Sequence, residues 1–197
     1  MRAISSRWHV KEIIRVALIS ILIGGIFGFS DWIYTILSGL LAATGFSPFV
    51  TEVLFGLWAM GGSIAFMVVR LPGASVFGEI IGAIVEGIAG GQFGLFPLVL
   101  SGFLQGIGTD LGFACFKYRR FTISSLTLAA VFTTIITFSS AVFVNGYIKL
   151  GPLMVFALFL TRLISNLIFC VGVVSLIYRL LLKANVVQTP VNEKVGK

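Results

Sequence analysis

The chain has 197 residues, of which 58% are hydrophobic, and its 14 Lys and Arg residues outnumber seven Asp and Glu residues. Soluble domains are roughly 45–50% apolar, so this composition excludes a soluble globular protein and indicates that lipid surrounds most of the chain. The basic residues stand between apolar stretches and at the termini rather than on one face or arm, which argues against nucleic-acid binding.

Seven apolar stretches follow one another along the chain. They cover residues 13–29, 32–46, 53–69, 74–89, 95–116, 123–144 and 153–182. A crossing helix needs about 20 residues, because ~30 Å of hydrocarbon is spanned at 1.5 Å per residue. The stretch 32–46 is the shortest, follows Asp31 and ends in turn-forming residues. Its status therefore decides the number of crossings.

The distribution of basic residues favours six crossings. Lys and Arg in short loops stay on the cytoplasmic side. If residues 32–46 crossed the membrane, Arg70 and the basic cluster at 117–120 would be exported. If they do not cross, every basic cluster is cytoplasmic. We therefore expect crossings near 12–30, 51–69, 73–91, 95–117, 122–146 and 152–182, with Asp31 and Glu52 in outer loops.

The predicted fold is an all-α integral membrane protein. Six transmembrane helices form a bundle, and residues 32–46 form a loop or lid on the outer face between helices 1 and 2. Residues 1–184 make a single transmembrane domain, and residues 185–197 make a polar cytoplasmic tail. The expected location is the bacterial plasma (inner) membrane, as a multi-pass protein with both termini cytoplasmic.

Catalytic and metal-binding patterns are absent from the sequence. It contains no Walker, GxSxG or HExxH motif, and its one histidine, His9, precedes the first crossing. Cys115 and Cys170 lie in separate apolar segments without metal-ligand spacing. We therefore expect no enzymatic activity, no catalytic residues, no metal site and no cofactor.

Four ionisable residues fall within crossings: Glu79, Glu86, Asp110 and Arg162. Each costs at least about 2.5 kcal/mol to place there and so needs a reason. Glu79 and Glu86 are seven residues apart on one helical face, with Glu86 nearer the outside, so Glu86 is the better candidate for a ligand contact. For Arg162, an internal ion pair with Asp110 or Glu79 is the preferred interpretation, and a functional role stays open.

Aromatic residues are expected at the same outer level. A carboxylate beside an aromatic face binds an organic cation through charge and through cation–π contact. A general interfacial belt also explains Trp32 and Tyr34, and structural hydrogen bonds between helices also explain the two polar residues Gln105 and Asn166. The candidate substrate-binding residues are Glu86, Trp58, Gln92, Glu79, Trp32, Tyr34, Phe55, Gln105 and Asn166.

An ordered set of residues carries a resemblance to a known family. It comprises Trp58 with Gly61 and Gly62, the run Arg70-Leu71-Pro72-Gly73-Ala74 leading to Gly78-Glu79, then Glu86, Gly90, Gly94, Gln105-Gly106, Tyr118-Arg119-Arg120, and Arg162 with Ser165. Over about residues 12–182 the chain resembles the S-components of energy-coupling factor (ECF) vitamin transporters, of the YkoE type associated with thiamin and its precursors.

This resemblance implies a six-helix, substrate-binding subunit with a vitamin site near the outer face. It also implies three partners: an ECF coupling transmembrane protein and two cytoplasmic ATPases. Thiamin joins an aminopyrimidine to a cationic thiazolium, which suits Glu86 and Trp58. The alternatives are the same architecture binding the hydroxymethylpyrimidine (HMP) precursor or another vitamin, and a ligand-free membrane assembly subunit.

Overall fold

A computed structural model describes residues 8–184. Over this range the chain forms seven α-helices: α1 (Val10–Leu41), α2 (Ser47–Val69), α3 (Ala74–Ile88), α4 (Leu95–Ala114), α5 (Ile123–Val144), α6 (Pro152–Asn166) and α7 (Val174–Lys183). The π-helical segment Leu167–Val173 joins α6 to α7 without a break. The resulting rod, Pro152–Lys183, is the sixth span of the bundle. The predicted tail at 185–197 lies outside the described residues.

Five of the spans are long and apolar enough to cross a bilayer: Val10–Thr44, α2, α4, α5 and Pro152–Lys183. The helix α3 is shorter, with 15 residues. It nevertheless runs antiparallel to α2. The chain enters α3 through the short turn 70–73, and Gly78, near the start of α3, lies against Ala65 of α2. It then packs back along α4, so the predicted six-helix bundle is confirmed.

Glycines bring α4 into backbone contact with its neighbours. A Cβ atom on Gly108 would lie 2.5 Å from the Cα of Thr133, and one on Gly112 would lie 2.2 Å from the Cα of Ala129. Such close approach is what small residues four apart provide in membrane helices. These contacts fix α5 against α4 and so form one wall of the bundle.

The helix α1 differs from the prediction in its boundaries. It continues without a break from Val10 to Leu41, and a 3₁₀ turn, Ala42–Thr44, follows it. Most of the predicted lid is therefore the end of α1. With 32 residues the helix is about 48 Å long, well beyond the ~30 Å hydrocarbon core. Tilting, or extension past the core, accommodates the excess.

Asp31 does not end α1, although the sequence analysis placed it in a loop. Its side chain is buried, and Oδ2 accepts a hydrogen bond from the backbone N–H of Gln92 at 3.2 Å. This contact ties the helix to the connection between α3 and α4. We call the end of the bundle that contains this connection the outer end, following the charge-based prediction.

Candidate functional site

A cavity of about 400 Å³ lies within the bundle. Its wall includes Phe27 from α1, Thr51, Phe55 and Trp58 from α2, Ala83 and Glu86 from α3, Leu98, Ser101, Gly102 and Gln105 from α4, Thr137, Ser140 and Ala141 from α5, and Arg162 from α6. This volume falls within the range of about 300–1,000 Å³ for small-molecule sites. The cavity can therefore hold a vitamin-sized molecule.

The cavity opens at the outer end of the bundle. Phe96, near the start of α4, and Val144, at the end of α5, line it and are more than 70% exposed. The neighbouring Asn145 also lines it and is exposed. A ligand can therefore enter between the outer ends of α4 and α5.

One face of α2 forms a continuous part of the wall. Thr51, Phe55 and Trp58 are spaced four and three residues apart, which places them on the same side of the helix. Phe55 and Trp58 are separated by a rise of about 4.5 Å along the axis. Both rings are buried in the bundle. This face offers a ligand two aromatic rings one turn apart.

Glu86 supplies the cavity with a carboxyl group. Its side chain is 2% exposed, and Oε1 has no hydrogen-bond partner among the described residues. The indole of Trp58 and the carboxyl group of Asp31 are neighbours of this carboxyl group. The Glu86 carboxyl group thus offers oxygen acceptors to a cation or to a hydrogen-bond donor of a ligand.

Arg162 enters the wall from α6 as half of a buried ion pair. Glu52 accepts hydrogen bonds from its Nε and from its Nη2, the latter at 2.8 Å. The guanidinium carbon lies 3.9 Å from the ring centre of Phe55 and 5.2 Å from that of Phe138. Two aromatic faces and a bidentate carboxylate therefore hold the guanidinium in a fixed orientation.

Tyr147 extends this cluster to the connection between α5 and α6. Its hydroxyl donates a hydrogen bond to Glu52 at 2.7 Å. Burial, and then the negative charge of Glu52, raise the pKa of Tyr147 above its usual value, so the hydroxyl stays protonated and remains a donor.

The predicted partners of Arg162 were wrong. The sequence predicts Asp110 or Glu79 as its partner and places Glu52 in an outer loop. In the structure Glu52 is buried in α2. Side chains on a helix lean toward its N-terminus, so Arg162 on α6 reaches outward to the first turns of α2. Sequence spacing alone does not reveal this pairing.

Asp110 has a separate structural role at the beginning of α3. Its Oδ2 accepts the backbone N–H of Gly73 at 2.5 Å, and its Oδ1 accepts that of Ser75 at 3.3 Å. A carboxylate at a helix N-terminus satisfies free N–H groups and interacts favourably with the helix dipole. Asp110 thus stabilises the turn between α2 and α3.

Glu79 and Asn166 lie away from the cavity wall. Glu79 is fully buried, and its Oε1 accepts the backbone N–H of Gly62 at 2.5 Å. The side-chain amide of Asn166 donates to the hydroxyl of Thr134 at 2.8 Å. These contacts join α3 to α2 and α6 to α5, so both side chains have structural roles.

Three further candidates surround the site without lining the cavity. The Gln92 side chain donates to the backbone carbonyl of Asp31 at 2.5 Å. The ring of Tyr34 packs edge-on against Trp58, with centroids 6.1 Å apart. Trp32 is 62% exposed and stacks on Phe29 instead.

Four candidates do line the cavity: Glu86, Trp58, Phe55 and Gln105. The Gln105 amide nitrogen donates to Ser101 at 2.8 Å, while its Oε1 has no partner among the residues that the structure describes. Sequence reasoning missed the α5 face formed by Thr137 and Ser140. Hydroxyls in an apolar helix commonly bond to the preceding turn, as Thr137 does, so they gave no distinct signal.

Comparisons with known proteins agree with this architecture. Residues 11–136 match the family described as "ABC-type cobalt transport system, permease component". The chain is 30% identical over 159 residues, 81% of its length, to the "Putative HMP/thiamine permease protein YkoE" of Bacillus subtilis (strain 168), and the match covers 77% of that protein. The fold also matches a solved structure, the "Crystal structure of an S-component of ECF transporter", with a TM-score of 0.83 and 27% identity, over 91% of this chain and 88% of the other.

Proposed function

Because this chain belongs to the family of ABC-type cobalt transport permease components and is the substrate-binding S-component of an ECF transporter, we propose that it captures thiamin. Its class is that of a multi-pass membrane transporter subunit. The ligand-free assembly role that the sequence left open does not fit a substrate-binding subunit. The geometry of the cavity supports thiamin as the ligand.

The observation that carries the proposal is the position of Glu86 beside Trp58 on the cavity wall. A carboxylate next to an indole binds an organic cation through charge and through cation–π contact. The same carboxylate also accepts hydrogen bonds from an exocyclic amino group. Thiamin carries both a cationic ring and an aminopyrimidine, and the relative from Bacillus subtilis is named as an HMP/thiamine permease.

The family description makes a cobalt ion an alternative ligand. Cobalt takes several nitrogen, oxygen or sulfur ligands from the protein. Within residues 8–184 no group of three or more His, Cys, Asp or Glu side chains is arranged to hold a metal ion. The cavity offers aromatic rings and the carboxyl group of Glu86 with Asp31 behind it, which fit an organic cation better.

A second alternative is the HMP precursor, which has the aminopyrimidine but lacks the cation. It would use Glu86 only as a hydrogen-bond acceptor. The second carboxyl group, from Asp31, adjoins Glu86, which favours the cationic vitamin over its neutral precursor.

Energy for uptake would come from partner proteins. We propose that a transmembrane coupling protein and two cytoplasmic ATPases complete the transporter, and that this chain has no enzymatic activity.

We also propose that residues 1–184 are one transmembrane domain in the plasma membrane, with both termini cytoplasmic. An impermeant thiol reagent should then label a cysteine placed at Ser47 in intact cells and leave one at Arg119 unlabelled. External labelling at Arg119 would refute this orientation.

Calorimetric titration of the purified protein with thiamin, HMP and Co²⁺, without ATP, tests the substrate proposal. We expect saturable 1:1 binding of thiamin, weaker binding of HMP and no specific binding of Co²⁺. Tight Co²⁺ binding without thiamin binding would contradict the proposal. Tighter binding of HMP than of thiamin would show that the cationic ring is not recognised.

A further inference from the structure

Arg162 has one guanidinium nitrogen that none of the described residues binds. Glu52 accepts from Nε and Nη2, whereas Nη1 is buried and has no hydrogen-bond partner among residues 8–184. Leaving a buried donor unpaired costs free energy. Arg162 belongs to the wall of the cavity, so a bound ligand is a candidate partner for Nη1.

The charge of Arg162 is already balanced. Arg162 and Glu52 are 1% and 0% exposed, respectively, and form a close pair. An anionic ligand would therefore meet a nearly neutral cluster with Glu86 on the same cavity wall. An uncharged hydrogen-bond acceptor gains a charge-assisted bond without that repulsion.

The guanidinium is held ready for such a bond. It lies over the ring of Phe55, and the hydroxyl of Tyr147 holds Glu52 in place. A binding group locked by surrounding contacts pays little ordering cost when the ligand arrives. Glu52 and Tyr147 therefore act as positioning residues for Arg162.

The α2 face connects this donor to the carboxylate. Arg162 lies over Phe55, and Trp58, three residues further along, lines the cavity together with Glu86. The rise between the two rings is about 4.5 Å. A flat ligand lying along this face can contact both polar groups.

We propose that Arg162 is a specificity-determining residue whose Nη1 donates a hydrogen bond to an uncharged acceptor of the bound vitamin, either a ring nitrogen or a hydroxyl oxygen. The site thus recognises a ligand with a cation or donor near Glu86 and an acceptor at Arg162. The inference rests on the proposed function in taking thiamin as that ligand.

The test is a binding cycle with three probes: thiamin, an analogue with C–H groups in place of the pyrimidine ring nitrogens, and an analogue without the hydroxyethyl group. Each is titrated by calorimetry into the parent protein and into Arg162→Lys. Lysine keeps the positive charge beside Glu52 but lacks Nη1. Tyr147→Phe is the comparison variant, because it removes one contact to Glu52 and leaves Nη1 present.

We expect Arg162→Lys to weaken thiamin binding about ten- to a hundredfold, the range for a hydrogen bond to a charged group. The analogue that lacks the acceptor should bind the parent about as weakly as thiamin binds Arg162→Lys. It should bind the parent and the variant with the same affinity, because it makes no bond to Nη1 in either. Which analogue behaves this way identifies the acceptor. Tyr147→Phe leaves Arg162 less firmly positioned, so it should weaken binding of the probes that carry the acceptor by a small factor and leave binding of the analogue without the acceptor unchanged.

Equal weakening of all three probes by Arg162→Lys would show a structural role and overturn the inference. The parent protein alone provides a second test, independent of how the variant folds: if both analogues bind it as tightly as thiamin, no acceptor is recognised and the inference is wrong. In both outcomes thiamin still binds, so the proposed function stands. If thiamin itself does not bind the parent, the proposed function fails and this inference fails with it.

Discussion

Replacing Glu86 by Gln probes the feature on which the substrate assignment depends. The substitution keeps the size and shape of the side chain, removes its negative charge, and turns one acceptor oxygen into a donor. The side chain is 2% exposed and lines the cavity, so solvent cannot compensate for the lost interaction. A hydrogen bond to a charged group contributes about 1.5–3 kcal/mol. The dissociation constant for thiamin should therefore rise about ten- to a hundredfold.

The neighbouring carboxyl group of Asp31 places the expected loss of affinity in the lower part of that range, because part of the negative potential remains when Glu86 becomes neutral. Glu79→Gln is the matched control: it makes the same chemical change on the same helix, two turns from Glu86 and away from the cavity. The control should keep the parent affinity for thiamin. Calorimetric titration of both purified variants measures the difference. Parent-like affinity in Glu86→Gln, or an equal loss in Glu79→Gln, would refute the reasoning.

Three further tests separate binding from stability. Trp58→Ala removes an aromatic face beside Glu86 and should weaken thiamin binding about two- to thirtyfold in the same titration, whereas unchanged affinity would exclude Trp58 from the site. Asp110→Asn weakens the hydrogen bonds at the beginning of α3 and should lower the thermal midpoint while leaving affinity nearly unchanged; a selective loss of affinity would place Asp110 in the site. Gly112→Ala puts a methyl group against the backbone of α5 and should lower the thermal unfolding midpoint. Gly25→Ala is the control, because a methyl group there meets nothing within 4 Å and should leave the midpoint unchanged. Equal midpoints for these two variants would contradict the packing of α4 on α5.

The number of spans could be predicted because charge and hydrophobic length are local properties of the sequence. The end of α1 could not, because Asp31 resembles a helix-ending loop residue until its partner, the backbone N–H of Gln92, is known. That contact joins residues 61 positions apart. Sequence patterns carry no information on a long-range contact of this kind.

The candidate site was predicted in part for a similar reason. Glu86 and Trp58 stand out in the sequence as an acid and a large aromatic ring in apolar helices, and both line the cavity. Arg162 also stood out, but its contact with Glu52 depends on how α2 and α6 pack side by side. Polar residues in a membrane helix mark important positions, but the three-dimensional packing decides which of them bind a ligand and which join helices.

A crystal structure of the protein with thiamin bound tests the central claim most directly. The account predicts thiamin in the cavity, along the α2 face that carries Phe55 and Trp58, with a polar group of the vitamin within hydrogen-bonding distance of Glu86. Thiamin bound elsewhere on the protein, or in the cavity without contact to Glu86, would contradict the account.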